Sequence, residues 1–301
     1  MYVKNKTNSS WWLGNDFFEE DRDILTGDIV SDRTSELIKL AGYRRAISNF
    51  VNIVTGKSDI PVYFQGSDSY TDGKSINISA SIKDKDFDST VGLALHEGSH
   101  ILMTDFEIMK DLNAGFHIDP ELVDTIYNKY KHTKEHYNTA DASRYITDKI
   151  KALLNIVEDR RIDNFVFKTA PGYKGYYHAL YNRYFNSSII DKALESTSKR
   201  DLDWDSYMFH VINITNAKRD LNALPGLLDI YKTLDLANIG RLKTTKDALL
   251  VAFDIFEIIE SNIPKPQVEE QEETTSGDSG EQEETESTET TQGSGQEANT
   301  P

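Results

Sequence analysis

Val91-Gly-Leu-Ala-Leu-His96-Glu97-Gly98-Ser99-His100-Ile-Leu-Met103 places two histidines four residues apart inside an apolar run. A helix sets residues i and i+4 one turn apart on one face, so both imidazoles can reach a single ion. The stretch matches His-Glu-x-x-His, in which two histidines hold zinc and the intervening glutamate serves as base. Val91, Leu93, Ala94, Leu95, Ile101, Leu102 and Met103 predict that this helix is buried. Buried imidazoles and a buried glutamate are costly unless they are paired or bind a metal. Gly98 costs about 1 kcal/mol of helix propensity relative to alanine, which points to close approach of another element. The plainer alternative is a pair of hydrogen-bonded core histidines beside a structural glutamate.

The composition around this motif narrows the chemistry. The 301 residues include no cysteine, so disulfides and thiolate ligands are excluded. Any metal must rest on histidine, carboxylate or water. The net charge is −17, and residues 267–301 hold 11 acidic residues and no basic one, which leaves −6 for the rest. Neither part has the basic balance of a nucleic-acid binder. No apolar run has the length of a signal peptide or a membrane span, so a soluble, cytoplasmic protein is expected.

Outward from the motif, the chain reads as mostly helical. Residues 34–54 have apolar side chains at helical spacing, and further helices are expected near 89–103, 120–136, 141–168, 175–197, 204–217 and 244–262. Residues 61–65 and 75–80 read as strands flanking a turn-rich stretch. The expected class is α+β, a helical body over 1–263 carrying a small β-sheet. From Pro264 to Pro301 the sequence is Glu, Thr, Ser, Gly and Gln with little apolar content, which predicts a disordered acidic tail. Such a tail solubilises or contacts a basic protein partner. Trp11 and Trp12 are candidate anchors for the N-terminal arm.

The metal needs a third protein ligand. A histidine six residues after His100 would supply it, but that position is Phe106. The alternative is a carboxylate from a later helix. In Leu154-Asn155-Ile-Val-Glu158-Asp159-Arg160-Arg161-Ile162-Asp163 an apolar helix abruptly carries a dense charge cluster. Glu158 is the favoured ligand, with Asn155 and Arg161 on its face to steady it. Asp159 is the fallback, and Asp163, five residues beyond Glu158, is expected to face elsewhere. A surface Glu–Arg pair is the competing reading. A second motif, His132-Thr-Lys-Glu135-His136, fits the inverted order His-x-x-Glu-His. Its lysine-rich setting predicts a solvated face rather than a metal site.

The blocks Leu95–Phe106 and Asn155–Asp163 resemble the zincin metallopeptidase-like domain found with von Willebrand factor A domains in bacterial and phage proteins. This is a gluzincin-like pattern, with a more distant likeness to the cobaltochelatase subunit of that type. The resemblance spans roughly residues 60–170. It implies His96, His100 and Glu158 as ligands of zinc, Glu97 as base and Asp105 as support behind a ligand. No Asp-x-Ser-x-Ser adhesion motif is present, although the acidic tail resembles the linker that precedes such a domain.

A zinc ion with three protein ligands keeps one position for water and brings that water's pKa to about 7. Glu97 would take the water's proton and pass it to a leaving amine. A developing oxyanion needs a donor, and Tyr176, Tyr177 and His178 are candidates, with Tyr176 and His178 favoured. Aromatic packing on their helix is the competing reading. His117 and His210 stand alone and read as structural. Residues 75–80 could also pair with an extended peptide as an edge strand. The expectation is a zinc-dependent peptidase or hydrolase acting on a peptide or protein, without nucleic-acid or membrane partners. The alternative is a catalytically silent zinc-binding structural or assembly protein, such as a phage or chaperone-associated scaffold.

Overall fold

The computed structural model describes residues 29–66, 69–79 and 86–266, with side chains from Lys39 onward. The acidic tail from Gln267 and the pair Trp11 and Trp12 lie outside the described residues. The fold is α+β and mostly helical, with one small sheet, as the sequence predicts.

Helix α1 (Ile29–Thr55) spans the apolar-periodic stretch over 34–54. Three short strands follow: β1 (Val62–Phe64), β2 (Tyr70–Thr71) and β3 (Ile76–Ile78). β3 is central, parallel to β1 with Val62 opposite Ile76, and antiparallel to β2 with Tyr70 opposite Asn77. The strand within that stretch, β3, is therefore not an edge strand, since both of its sides are paired. All three of its residues are buried, as a strand covered on both faces requires.

Nine further helices follow among the described residues. They are α2 (Phe87–Met103), α3 (Phe106–Asn113), α4 (Pro120–Tyr130), α5 (Thr139–Thr169), α6 (Lys174–Tyr184), α7 (Ser188–Glu195), α8 (Trp204–Ile212), α9 (Leu227–Leu234) and α10 (Thr245–Asn262). Three differ from the expected bounds. The helix expected over 120–136 ends at Tyr130, and the one over 204–217 ends at Ile212. The one over 175–197 divides after Tyr184, because the Ser187 side chain accepts from the amide of Ile190 and caps a new helix. α3, α9 and β2 were not expected. Segments of two to eight residues carry too few side chains to display a period.

Two apolar clusters organise the body. One gathers side chains of α4, α5, α8, α9 and α10 around Tyr207 and Phe256. The other joins α1, β3, α2 and α6 around Ile47, Ile76, Leu95 and Tyr177. α5 belongs to both, with Leu153 and Val157 in the first and Val166 in the second. Its start is fixed by Asn138 and Asp141, which cap each other's backbone amides. α2 is buried without interruption from Val91 to His100. Its close approach to α6 depends on Gly92, where a Cβ would lie 2.3 Å from the carbonyl oxygen of Tyr176. Gly98 meets only ordinary side-chain contacts from Thr55, Ile76 and Val51. No helix among the described residues is long and apolar enough to cross a membrane.

Candidate metal centre

α2 delivers His96 and His100 to one face one turn apart, as their spacing requires. Their Nε2 atoms lie 3.2 Å apart. α5 crosses this face and brings Asp159, whose Oδ1 lies 3.3 Å from Nε2 of His96 and 3.1 Å from Nε2 of His100. Three potential donor atoms thus form a nearly equilateral triangle. A tetrahedron with ligands about 2.0–2.1 Å from its centre has edges of about 3.3–3.4 Å. The triangle has the size of one such face. The buried group of His96, His100 and Asp159 therefore lies at metal-binding distance.

Charge points the same way. Glu97, Glu158, Asp159 and Asp163 are buried here with Arg160 and Arg161. Glu158 pairs with Arg161, and Asp159 and Asp163 face the imidazole of His96, so the carboxylates at the triangle favour a positive partner there.

Each imidazole is also held from behind. Nδ1 of His96 lies 3.0 Å from Oδ1 of Asp163. The Tyr181 hydroxyl donates to Oδ2 of the same carboxylate and accepts from Arg160. Arg160 in turn sits over the rings of Tyr181 and Phe185. Nδ1 of His100 lies 2.9 Å from the hydroxyl of Thr104, which donates to Glu158 at 3.0 Å. Such contacts orient metal-binding histidines and choose the nitrogen that carries the proton.

The ionisation of the centre follows from these neighbours. Burial opposes the charged form of His96, but the carboxylates of Asp159 and Asp163 outweigh it and hold its pKa well above 6.5. Burial likewise opposes the Asp159 carboxylate, and the facing imidazoles overcome it, keeping Asp159 well below the usual carboxylate range. The triangle attracts positive charge, and a proton is the lightest occupant it accepts.

Several expected roles move. The carboxylate that joins the imidazoles is Asp159, the fallback, and not Glu158. Glu158 is turned into a fork with Arg161, receiving Nε at 2.8 Å and Nη2 at 2.6 Å, and it also accepts from Thr245 at 2.8 Å. Arg161 steadies this carboxylate as expected. Asp163 does not face elsewhere: it stands four residues from Asp159 and shares its face. Asp105 supports no ligand with its side chain, which caps α3 by accepting from the amide of Glu107. The threonine before it, Thr104, is the residue that contacts His100.

Of the aromatic cluster on α6, the residue at the centre is Tyr177, fully buried with its ring 6.5 Å from that of His96. Burial, followed by the Asp163 carboxylate, raises the Tyr177 phenol well above 10, so it stays protonated. Tyr176 packs on Phe50 at 5.5 Å, and the exposed His178 stacks on Phe167 at 6.2 Å. Neither of these is among the groups joined to the triangle.

Glu97 is fully buried on α2, one residue beyond His96. A cavity of about 20 Å³ adjoins the centre, lined by His100, Thr104, Glu158 and Asn155 on its polar side and by Phe106, Met109 and Leu154 on its apolar side. That volume accommodates a water molecule. The second motif dissolves structurally. α4 ends before it, His132 and His136 are exposed, and His136 adopts a left-handed backbone with φ of 64°. The exposed His117 lies 3.6 Å from Asp111, and the buried His210 contacts the carbonyl of Lys199 at 3.0 Å, so only His210 sits as a structural histidine would.

No known protein family, curated protein or solved structure matches this chain.

Proposed function

We propose that this chain is a zinc-dependent hydrolase of peptide bonds, with His96, His100 and Asp159 as metal ligands and Glu97 as base. The observation that carries this reading is the triangle of donor atoms on a His-Glu-x-x-His helix, with edges of 3.1–3.3 Å. Two imidazoles and one carboxylate suit zinc, whose catalytic sites keep three protein ligands and one open position. Zinc bound there would supply a nucleophilic water near neutral pH and polarise a carbonyl. Glu97, held in the dry interior beside His96, would accept a proton and return it to the departing amine. Asp163 holds His96 in place while this happens. The likeness of 95–106 and 155–163 to zincin domains supports His96, His100 and Glu97 in these roles, whereas for the carboxylate it implies Glu158 and the geometry favours Asp159.

A second reading is a zinc site without turnover, in a structural or assembly protein. Burial favours it: His96, Glu97, His100 and Asp159 expose 3%, 0%, 2% and 3% of their surface. Cleavage of an unfolded protein by zinc-loaded wild type and by Glu97→Gln separates the two. The hydrolase reading predicts that wild type cleaves, and that Glu97→Gln keeps one zinc but loses at least about 100-fold in rate. One zinc in both proteins with cleavage by neither would leave the structural reading standing.

A further inference from the structure

We infer that Glu158 and Thr104 form a positioning relay that fixes the proton of His100 on Nδ1 and so presents Nε2 to a metal. The inference rests on the metal site proposed above and assigns Glu158 a task other than ligation.

The direction of the relay follows from hydrogen-bond capacity. A carboxylate in a guanidinium fork can only accept. Glu158 Oε1 accepts from Arg161, from Thr245 and from Thr104. The Thr104 hydroxyl has one proton, and Glu158 takes it. Facing His100 Nδ1 at 2.9 Å, that hydroxyl is left with only lone pairs to offer. The imidazole must therefore donate from Nδ1, which leaves its Nε2 lone pair in the triangle with His96 and Asp159. His96 reaches the same state through a direct carboxylate, Asp163. The two ligands are thus set by different means: one by an acid in contact, the other by an acid acting through a hydroxyl.

The relay also ties the ligand to distant parts of the chain. Arg161 donates to the carbonyl of Met103 at the end of α2 and to that of Lys243 before α10. Thr245, in the first turn of α10, accepts from the amide of Asp105 while donating to Glu158. The position of His100 is therefore braced by both ends of the loop between α2 and α3 and by the start of α10.

The test compares metal-loaded wild type with Thr104→Val and Thr104→Ser, because replacing Glu158 strands Arg161 and threatens folding. Valine keeps the shape and removes the hydroxyl, and serine keeps the hydroxyl. Zinc affinity is read by competition with a chelator, and the exchange of the His100 Nδ1 proton with water is read by nitrogen-15 NMR. Thr104→Val is expected to bind zinc about 10- to 100-fold more weakly, the usual range for an outer support of a metal ligand. It should still take up one equivalent at saturation, with a fast-exchanging His100 proton. Thr104→Ser should retain the wild-type affinity and a slow-exchanging proton. Wild-type affinity in Thr104→Val would overturn the relay, as would equal weakening in both variants, which would mark a packing effect. Wild type that binds no zinc is a different failure, since it removes the metal site itself along with the relay.

Discussion

Two buried carboxylate centres among the described residues differ in what faces the acid. Glu260 on α10 accepts from Lys129 at 2.5 Å, Tyr130 at 3.1 Å, Tyr145 at 2.6 Å and Trp204 Nε1 at 2.7 Å. Every neighbour there is a donor. Burial and the Glu260 carboxylate raise the phenols of Tyr130 and Tyr145 above their ordinary range, so both keep the protons they donate. Lys129 supplies the balancing charge. Asp159 instead faces two imidazole nitrogens whose opposite edges are engaged by Asp163 and Thr104. A carboxylate surrounded by donors is complete and braces the fold. A carboxylate that converges with two imidazole Nε2 atoms is completed by a cation, either a proton on an imidazole or a metal ion in its place.

Substitutions can break this contrast. The largest effect is expected at the open centre: His96→Ala or Asp159→Ala should reduce bound zinc from one equivalent to under about a tenth, by elemental analysis, since three protein ligands are needed to close the site. At the complete centre, Glu260→Ala should cost about 3–5 kcal/mol in chemical denaturation by removing the carboxylate that pairs with the part-buried Lys129 and accepts from Tyr130, Tyr145 and Trp204. Its zinc content should stay at one. If Glu260→Ala lost zinc while Asp159→Ala kept it, the two centres would have been assigned the wrong way round.

Proton uptake sharpens the contrast. The folded pKa of His96 is raised above its ordinary 6.5. Its contribution to stability is therefore full below about pH 6.5 and is lost as pH rises through the folded value. Metal-free wild type should lose stability over that window, and metal-free His96→Gln should lose less. Zinc binding should run the other way, tightening as pH rises, because zinc displaces the proton. The smallest effect belongs to the decoy motif. His132→Ala should change stability by less than about 0.5 kcal/mol, as exposed positions do, and leave zinc uptake unchanged.

The part of the site legible in sequence was the part written at short range. His96, Glu97 and His100 follow from one helical turn, and the apolar run implied burial, which holds from Val91 to His100 but not at Leu102, which is exposed. The partner helix was also legible, from a charge cluster inside an apolar stretch. Its rotation was not. Leu153 to Asp163 are buried on every side, so the apolar pattern does not mark which face meets α2. Glu158 and Asp159 differ by about 100° around a helix, and only the packing decides between them. Once the face is known, Asp163 follows at i+4. Thr104 gave no sequence signal as a support, because a threonine at a helix end reads as a cap. The same limit explains Tyr177, since three neighbouring polar-tipped residues point in three directions and burial selects one. In the fold, long periodic helices were visible and the short α3, α9 and β2 were not.

X-ray absorption at the zinc edge of the loaded protein reads the ligands that His96, His100 and Asp159 would supply. Two imidazole nitrogens and carboxylate or water oxygens are expected at about 2.0–2.2 Å, with an altered oxygen shell in any zinc that Asp159→Ala retains. A spectrum with fewer than two imidazoles, or one left unchanged by Asp159→Ala, would contradict that ligand set.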